Sequence, residues 1–142
     1  MRSGQGKRKL SGKYIRGRGV LGKKMLAMHI VDDAFEIVEK KTGRNPIQVL
    51  VMAIQNAGPR EDTTRIKRGG VYYTVSVDVA PLKKVDESLK NLALAAFQGS
   101  FNTKTSASEA LAKEMVSAAS EESASFSVNR RDEVERIAKA SR

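Results

Sequence analysis

The sequence contains no cysteine, no tryptophan and a single histidine, His29. Without thiols there can be no disulfides and no thiolate metal centre, and one imidazole cannot make a histidine-rich zinc site. Aromatic residues are scarce, four Phe and three Tyr, so a core must be filled mainly by aliphatic side chains. The longest strictly apolar run, Leu92 to Phe97, is far shorter than the about 20 residues a membrane-spanning helix needs. The basic N-terminus has no apolar stretch behind it, which excludes a secretory signal. Six glycines in the first 24 residues also oppose the amphipathic helix of a mitochondrial transit peptide. A cytoplasmic address fits this pattern.

Those first 24 residues contain no Asp or Glu either. They do contain Arg2, Lys7, Arg8, Lys9, Lys13, Arg16, Arg18, Lys23 and Lys24, nine of the chain's 26 basic residues. From Met25 onward 17 basic residues face 16 acidic ones, so the net charge of +10 belongs mostly to residues 1–24. A Gly-rich cationic segment buries too little apolar surface to offset its ordering entropy, so residues 1–24 are expected to be a flexible arm. A polyanion would order it, and nucleic acid is the commonest one. Residues 25–142 are expected to form one domain.

The periodicity after the arm is helical. Leu26, Ile30, Ala34, Ile37 and Val38 make one face of a helix from about Met25 to Lys41, closed by Thr42-Gly43. Asn45-Pro46 reads as an N-cap and a first helical position, opening a second helix to Ala57 that buries Ile47, Leu50, Val51 and Ile54. Then the period changes to two: Val71, Tyr73, Val75, Val77 and Val79 alternate with polar residues. Thr63 to Lys67 is the partner strand and Arg68-Gly69-Gly70 the turn, giving a hairpin over about residues 63–79. Its tip combines Arg65, Lys67 and Arg68 with Tyr72 and Tyr73, charge for phosphates beside rings for bases.

Pro81 opens a third helix with Leu82, Val85, Leu89, Leu92, Ala96 and Phe97 as its buried stripe, ending at Gly99. Lys83, Lys84 and Lys90 lie off that stripe. Ser106 and Glu109 have capping-box spacing, so a fourth helix begins near Ala107 with Leu111, Met115 and Ala118 inward. A Ser-rich connection over Glu121 to Asn129 leads to a last helix from about Arg130 to Ala140. The fold class is mainly α: a bundle of about five helices with one inserted, protruding β-hairpin.

Several motifs fail on context. Gly17, Gly19 and Gly22 satisfy G-x-G-x-x-G, and Gly17 to Lys23 nearly completes a P-loop. No hydrophobic strand precedes them, and Lys24 stands where a Ser or Thr is needed, so no nucleotide site is assigned. His29 has no triad partners. Asp32-Asp33, Glu61-Asp62 and Asp86-Glu87 are adjacent carboxylates that do not share a face. Lys40, Lys41 and Lys113 have acidic neighbours and read as solvated surface. Nothing points to an enzyme, a metal, a cofactor, a small-molecule substrate or a membrane.

The runs Lys41-Thr42-Gly43-Arg44-Asn45-Pro46-Ile47-Gln48-Val49-Leu50 and Asn56-Ala57-Gly58-Pro59-Arg60-Glu61-Asp62-Thr63-Thr64 resemble the small ribosomal subunit protein "S-seven" family in its archaeal and eukaryotic branch. Gly69-Gly70, Ser76-Val77-Asp78-Val79, Pro81 to Asp86, Glu109 to Ala112 and Glu133 to Ala138 continue the resemblance in order, from Gly22 to Arg142. The resemblance implies a structural constituent of the cytoplasmic ribosome and a primary binder of small-subunit rRNA. Such a protein organises the three-prime major domain, the head, near the exit-site tRNA and the mRNA exit path. Arg65, Lys67, Arg68, Gly69, Gly70 and Tyr72 would lie nearest that path. Lys7, Arg8, Lys9, Lys13, Arg16, Arg18, Lys23, Lys24, Lys83 and Lys84 would meet rRNA. Arg130 and Arg131 would lie close to RNA or to a neighbouring head or platform protein. Members of that branch carry several dozen further residues upstream, ending in an amphipathic helix. If that segment is absent here, an exposed apolar strip is expected. Composition and arm alone also admit an architectural DNA-binding protein gripping the minor groove with a β-arm, and, on Gly17 to Lys24 only, a nucleotide-dependent enzyme.

Overall fold

The computed structural model describes residues 22–142, together with the backbone of Gln5–Leu10 and Lys13–Arg16. Two short strands lie in the basic segment, β1 (Gln5–Leu10) and β2 (Lys13–Arg16), where a segment without regular structure is expected. They pair antiparallel, Lys9 opposite Tyr14 and Leu10 opposite Lys13, with an irregularity between Gln5 and Lys9. Backbone pairing of this kind needs no apolar side chains, which is why composition did not reveal it. Arg18 lies outside the described residues.

The remaining elements are α1 (Lys24–Thr42), α2 (Pro46–Ala57), β3 (Glu61–Arg68), β4 (Val71–Asp78), α3 (Pro81–Ser100), α4 (Ala107–Ala119) and α5 (Phe126–Ala140). The local signals behave as their chemistry dictates. Gly43 closes α1 in the left-handed conformation at φ 64°. The Asn45 side chain accepts from the Ile47 amide, and Pro46 takes the first turn of α2. Ser106 accepts from the Glu109 amide while Glu109 accepts from the Ser106 amide, a complete capping box. Gly69 and Gly70, at φ 58° and 84°, supply the two positive φ values of a two-residue hairpin turn.

Helix α4 is the centre of the bundle. Its Leu111, Ala112 and Met115 pack with Ala34 and Val38 of α1, Val49 of α2 and Ala96 of α3. A second cluster joins Ala53, Leu92, Ala118 and Val128. Eight of these eleven residues are alanine or valine, contributed by all five helices, so the core is built of small side chains that lose little rotamer entropy.

Periodicity placed the helices but not always their covered face. In α2, Val49, Ala53 and Ala57 are buried while Ile47 is 60% and Val51 47% exposed, reversing the expected pair. The helix is apolar nearly all round, so only the position of α4 decides which side is covered. In α3, Leu92 and Ala96 are buried as expected, but Leu82, Val85 and Leu89 are exposed, Leu82 at 75%. The first turns of α3 use a different face. Ser88 donates within reach of the Ile54 carbonyl, at 3.1 Å, and the Lys84 stem lies against Gly58. A Cβ on Gly58 would collide with that stem. Leu89 also lines an apolar recess of about 120 Å³ with Val31, Phe35, Leu50, Leu92, Ala93, Leu111 and Met115.

Boundaries differ at three places. Helix α3 runs through Gly99 to Ser100, where Phe101 closes it by donating to the Phe97 carbonyl. The hairpin starts two residues early, at Glu61, because β3 and β4 stay paired to Glu61–Asp78. Helix α5 begins at Phe126 instead of about Arg130, so the Ser-rich connection is shorter. Glu114 is the reason. One of its carboxylate oxygens accepts from Ser125 Oγ at 2.7 Å, Ser127 Oγ at 2.7 Å and the Ser127 amide at 2.9 Å. Ser125 in turn caps the Val128 amide.

Candidate nucleic-acid interface

The hairpin register sorts its tip residues onto two faces. Cross-strand pairs Thr63–Ser76, Arg65–Thr74 and Lys67–Tyr72 point one way; Thr64–Val75, Ile66–Tyr73 and Arg68–Val71 point the other. The sequence groups Arg65, Lys67, Arg68, Tyr72 and Tyr73 into one cluster, but the pleat divides them. Arg65, Lys67 and Tyr72 form a polar, cationic face, on which the Lys67 ammonium lies 5.7 Å from the centre of the Tyr72 ring. Arg68 shares the other face with Ile66, Val71, Tyr73, Val75 and Val77, all exposed. Charge beside an accessible ring is what a single-stranded nucleic acid engages, phosphate on one and base on the other.

At the base of the hairpin, Lys83 pairs with Asp62 at 3.4 Å and remains more than half exposed. Lys83 and Lys84 sit in the first turn of α3, which has no acidic residue there and no side-chain cap at Ala80. Lys23 and Lys24 stand in the same relation to α1: exposed, in an opening turn without an acidic residue and without a side-chain cap. The positive end of a helix dipole disfavours cations by about 0.3–1 kcal/mol each. Unpaired amides and lysines together form a setting that an anion relieves. Sequence reading singled out all four lysines but not this shared placement, although Pro81 and the helix starts signalled it. Lys7, Arg8, Lys9, Lys13 and Arg16 lie on β1 and β2.

Arg130 and Arg131 do not act alike. Arg130 pairs with Glu133 one turn on and is about half exposed. Arg131 is turned inward, its side chain 19% exposed, donating to the Asn56 carbonyl at 2.6 Å, to Glu121 at 2.9 Å and to Asp132 at 2.8 Å. Burial lowers its pKa, but hydrogen bonds and the charges of Asp132 and Glu121 outweigh that, so it lies above the ordinary arginine value. Asn56 itself donates to the Ala118 and Ala119 carbonyls at 3.1 and 2.9 Å. Arg131 therefore ties α5 to the ends of α2 and α4. Sequence reading also passed over the hairpin's anchorage: the Arg60 amide donates to Glu135 at 3.0 Å, and Arg142 pairs with Glu61. Among the described residues no group of three His, Cys, Asp or Glu is arranged to hold a metal, and no helix is long and apolar enough to cross a membrane.

A family model described as ribosomal protein S7p/S5e matches residues 6–142. The chain belongs to this ribosomal protein family. Its similarity to small ribosomal subunit protein uS7 of Methanococcoides burtonii is 49% identity over 121 residues, 85% of this chain and 65% of that one. With uS7 of Haloarcula marismortui it shares 50% identity over 121 residues, 85% of this chain and 59% of the relative. The chain thus spans about three-fifths of the length of these curated relatives. The bundle of five helices with one hairpin between α2 and α3 is the fold that the sequence resemblance implied.

Proposed function

We propose that this chain is a structural constituent of the small ribosomal subunit in the cytoplasm. It binds small-subunit rRNA, organises the head, and works in translation beside neighbouring head and platform proteins. Family membership supports the ribosomal role, and the observation that carries RNA binding is the placement of Lys23, Lys24, Lys83 and Lys84 at the positive ends of two helices. These cations oppose the dipole of the helix that bears them, so folding alone does not account for them. Phosphates do. Basic side chains and unpaired amides bind phosphate and release counterions, while the folded RNA junction supplies specificity by its shape. The cationic hairpin face of Arg65, Lys67 and Tyr72, extended by Gly69 and Gly70, reaches toward single-stranded RNA, in this reading the exit-site tRNA and the outgoing mRNA. Nothing in the mechanism calls for a cofactor or for bond chemistry.

The test is titration of the purified chain against an rRNA fragment of the three-prime major domain across a salt series, with duplex DNA and scrambled RNA as competitors. Eight contacts from residues 1–24 give a slope of log affinity against log salt of roughly −6 to −7. Deleting those residues should reduce it by several units, and the double change Lys83→Ala, Lys84→Ala by roughly 1–2. Equal displacement by duplex DNA would favour an architectural DNA-binding protein, and an unchanged slope after the deletion would remove the arm from the interface.

A further inference from the structure

Where the hairpin base, the end of α2 and the start of α5 meet, a cavity of about 220 Å³ opens to solvent, lined by polar groups of Gln55, Asn56, Gly58, Arg60, Glu121, Arg131 and Glu135. None of the lysines assigned to phosphate binding lines it, although the Lys84 stem lies against Gly58 at its edge. Arg131 and Glu121 form its internally paired wall. Glu135 uses one carboxylate oxygen on the Arg60 amide, and its other oxygen has no hydrogen bond among the described residues. The Arg60 guanidinium and the Gln55 amide likewise have no recorded protein partner among the described residues, and both residues are exposed.

Two carboxylates in the lining repel a phosphate, and the arginines disfavour a metal cation. A neutral, flat ligand with donors on one edge and acceptors on another suits both charges at once. We propose that this cavity is a socket for one unpaired guanine base of the bound RNA, with Glu135 and Arg60 as its readers. Guanine is the standard base that presents two adjacent donors, N1–H and the N2 amino group, together with two adjacent acceptors, O6 and N7. A carboxylate accepts from the first pair, and a guanidinium donates to the second. Unpaired bases splayed from loops and bulges are the usual object of sequence-specific RNA recognition by proteins. The inference rests on the RNA-binding reading above and adds to it a base-specific contact that phosphate binding lacks.

Analogue interference separates the two. The rRNA fragment is transcribed with inosine, which lacks the N2 amino group, or 7-deazaguanosine, which lacks N7, scattered at guanosine positions, and bound molecules are sequenced. One guanosine at which each analogue weakens binding of the unaltered chain about tenfold is expected. With Glu135→Gln, which keeps an acceptor for the Arg60 amide, the inosine effect at that position should disappear; with Arg60→Ala, the 7-deaza effect should. Far-UV circular dichroism confirms that both variants remain folded. Tolerance of both analogues at every guanosine, or interference identical for all three proteins, overturns the socket while leaving the RNA reading standing. Absence of any binding to the fragment removes the RNA reading, and the socket falls with it.

Discussion

Glu114 offers the sharpest test of how this bundle is closed. Its single acceptor oxygen gathers the Ser127 amide, Ser127 Oγ and Ser125 Oγ, all within 2.9 Å, and Ser125 and Ser127 are fully buried. In Glu114→Ala all three donors lose their partner. The two hydroxyls can turn toward other oxygens, but the amide is fixed by the first turn of α5. One buried unsatisfied N–H costs about 1–3 kcal/mol, and the two lost hydroxyl bonds to a charged acceptor add about 1 kcal/mol together after reorientation. The expected loss is about 3 kcal/mol, or roughly 9–15 °C in Tm for a domain of this size. Glu114→Gln keeps an oxygen at the same reach and should lose about 1 kcal/mol. Urea unfolding followed by far-UV circular dichroism gives the free energies, and amide exchange at Ser127 reports the local event. If Glu114→Ala falls within 0.5 kcal/mol of the unaltered chain, or if Gln proves as damaging as Ala, the oxygen is not what holds the α4–α5 corner.

Two further outcomes follow from burial. Leu92→Ala should destabilise by about 2–5 kcal/mol, since Leu92 is 3% exposed, whereas Leu82→Ala on the same helix should fall within about 0.5 kcal/mol in the same urea assay. Comparable losses at both positions would show that α3 is rotated from the orientation described. Arg131→Ala should cost about 2–3 kcal/mol by leaving the Asn56 carbonyl without its charged donor, and Arg131→Lys should recover only part of it, because one ammonium cannot reach Asn56, Glu121 and Asp132 together. Full recovery by Lys in thermal unfolding would refute the fork geometry.

The sequence revealed elements better than faces. Asn45-Pro46, Ser106 with Glu109, and Gly69-Gly70 are short-range signals whose chemistry acts within four residues, and each appears where it was expected. The face that a helix covers depends on partners far along the chain. Ile47, Val51 and Leu82 are apolar and correctly spaced, yet each stays largely exposed, and Leu89 is only half covered at the mouth of the apolar recess. Glu114 illustrates the same limit. Nothing local to residues 121–129 shows that a carboxylate eleven to thirteen positions upstream will start a helix at Phe126. The candidate interface was legible as charge but not as arrangement. Arg65, Lys67 and Arg68 look equivalent in a string, and the pleat then assigns Arg68 to the apolar face. Arg130 and Arg131 look equivalent too, and one faces solvent while the other joins three elements.

The difference between those two arginines bears on how a basic protein should be read. A cation with a nearby carboxylate and a carbonyl, as at Arg131, contributes to the fold whether or not RNA is present. A cation at the positive end of its own helix, as at Lys24 or Lys84, is locally opposed, and nothing in the opening turn offsets it. Lys83 lies between these cases, held by Asp62 at 3.4 Å but still open to a second anion. Ranking basic residues by what the protein itself offers them therefore separates structural cations from interfacial ones, and net charge cannot do that. By this ranking Arg131 belongs to the architecture. Under the RNA-binding proposal, Lys23, Lys24, Lys83, Lys84 and the Arg65–Lys67 face are the cations left for the partner, and they lie at the starts of α1 and α3 and along the hairpin that leads into α3.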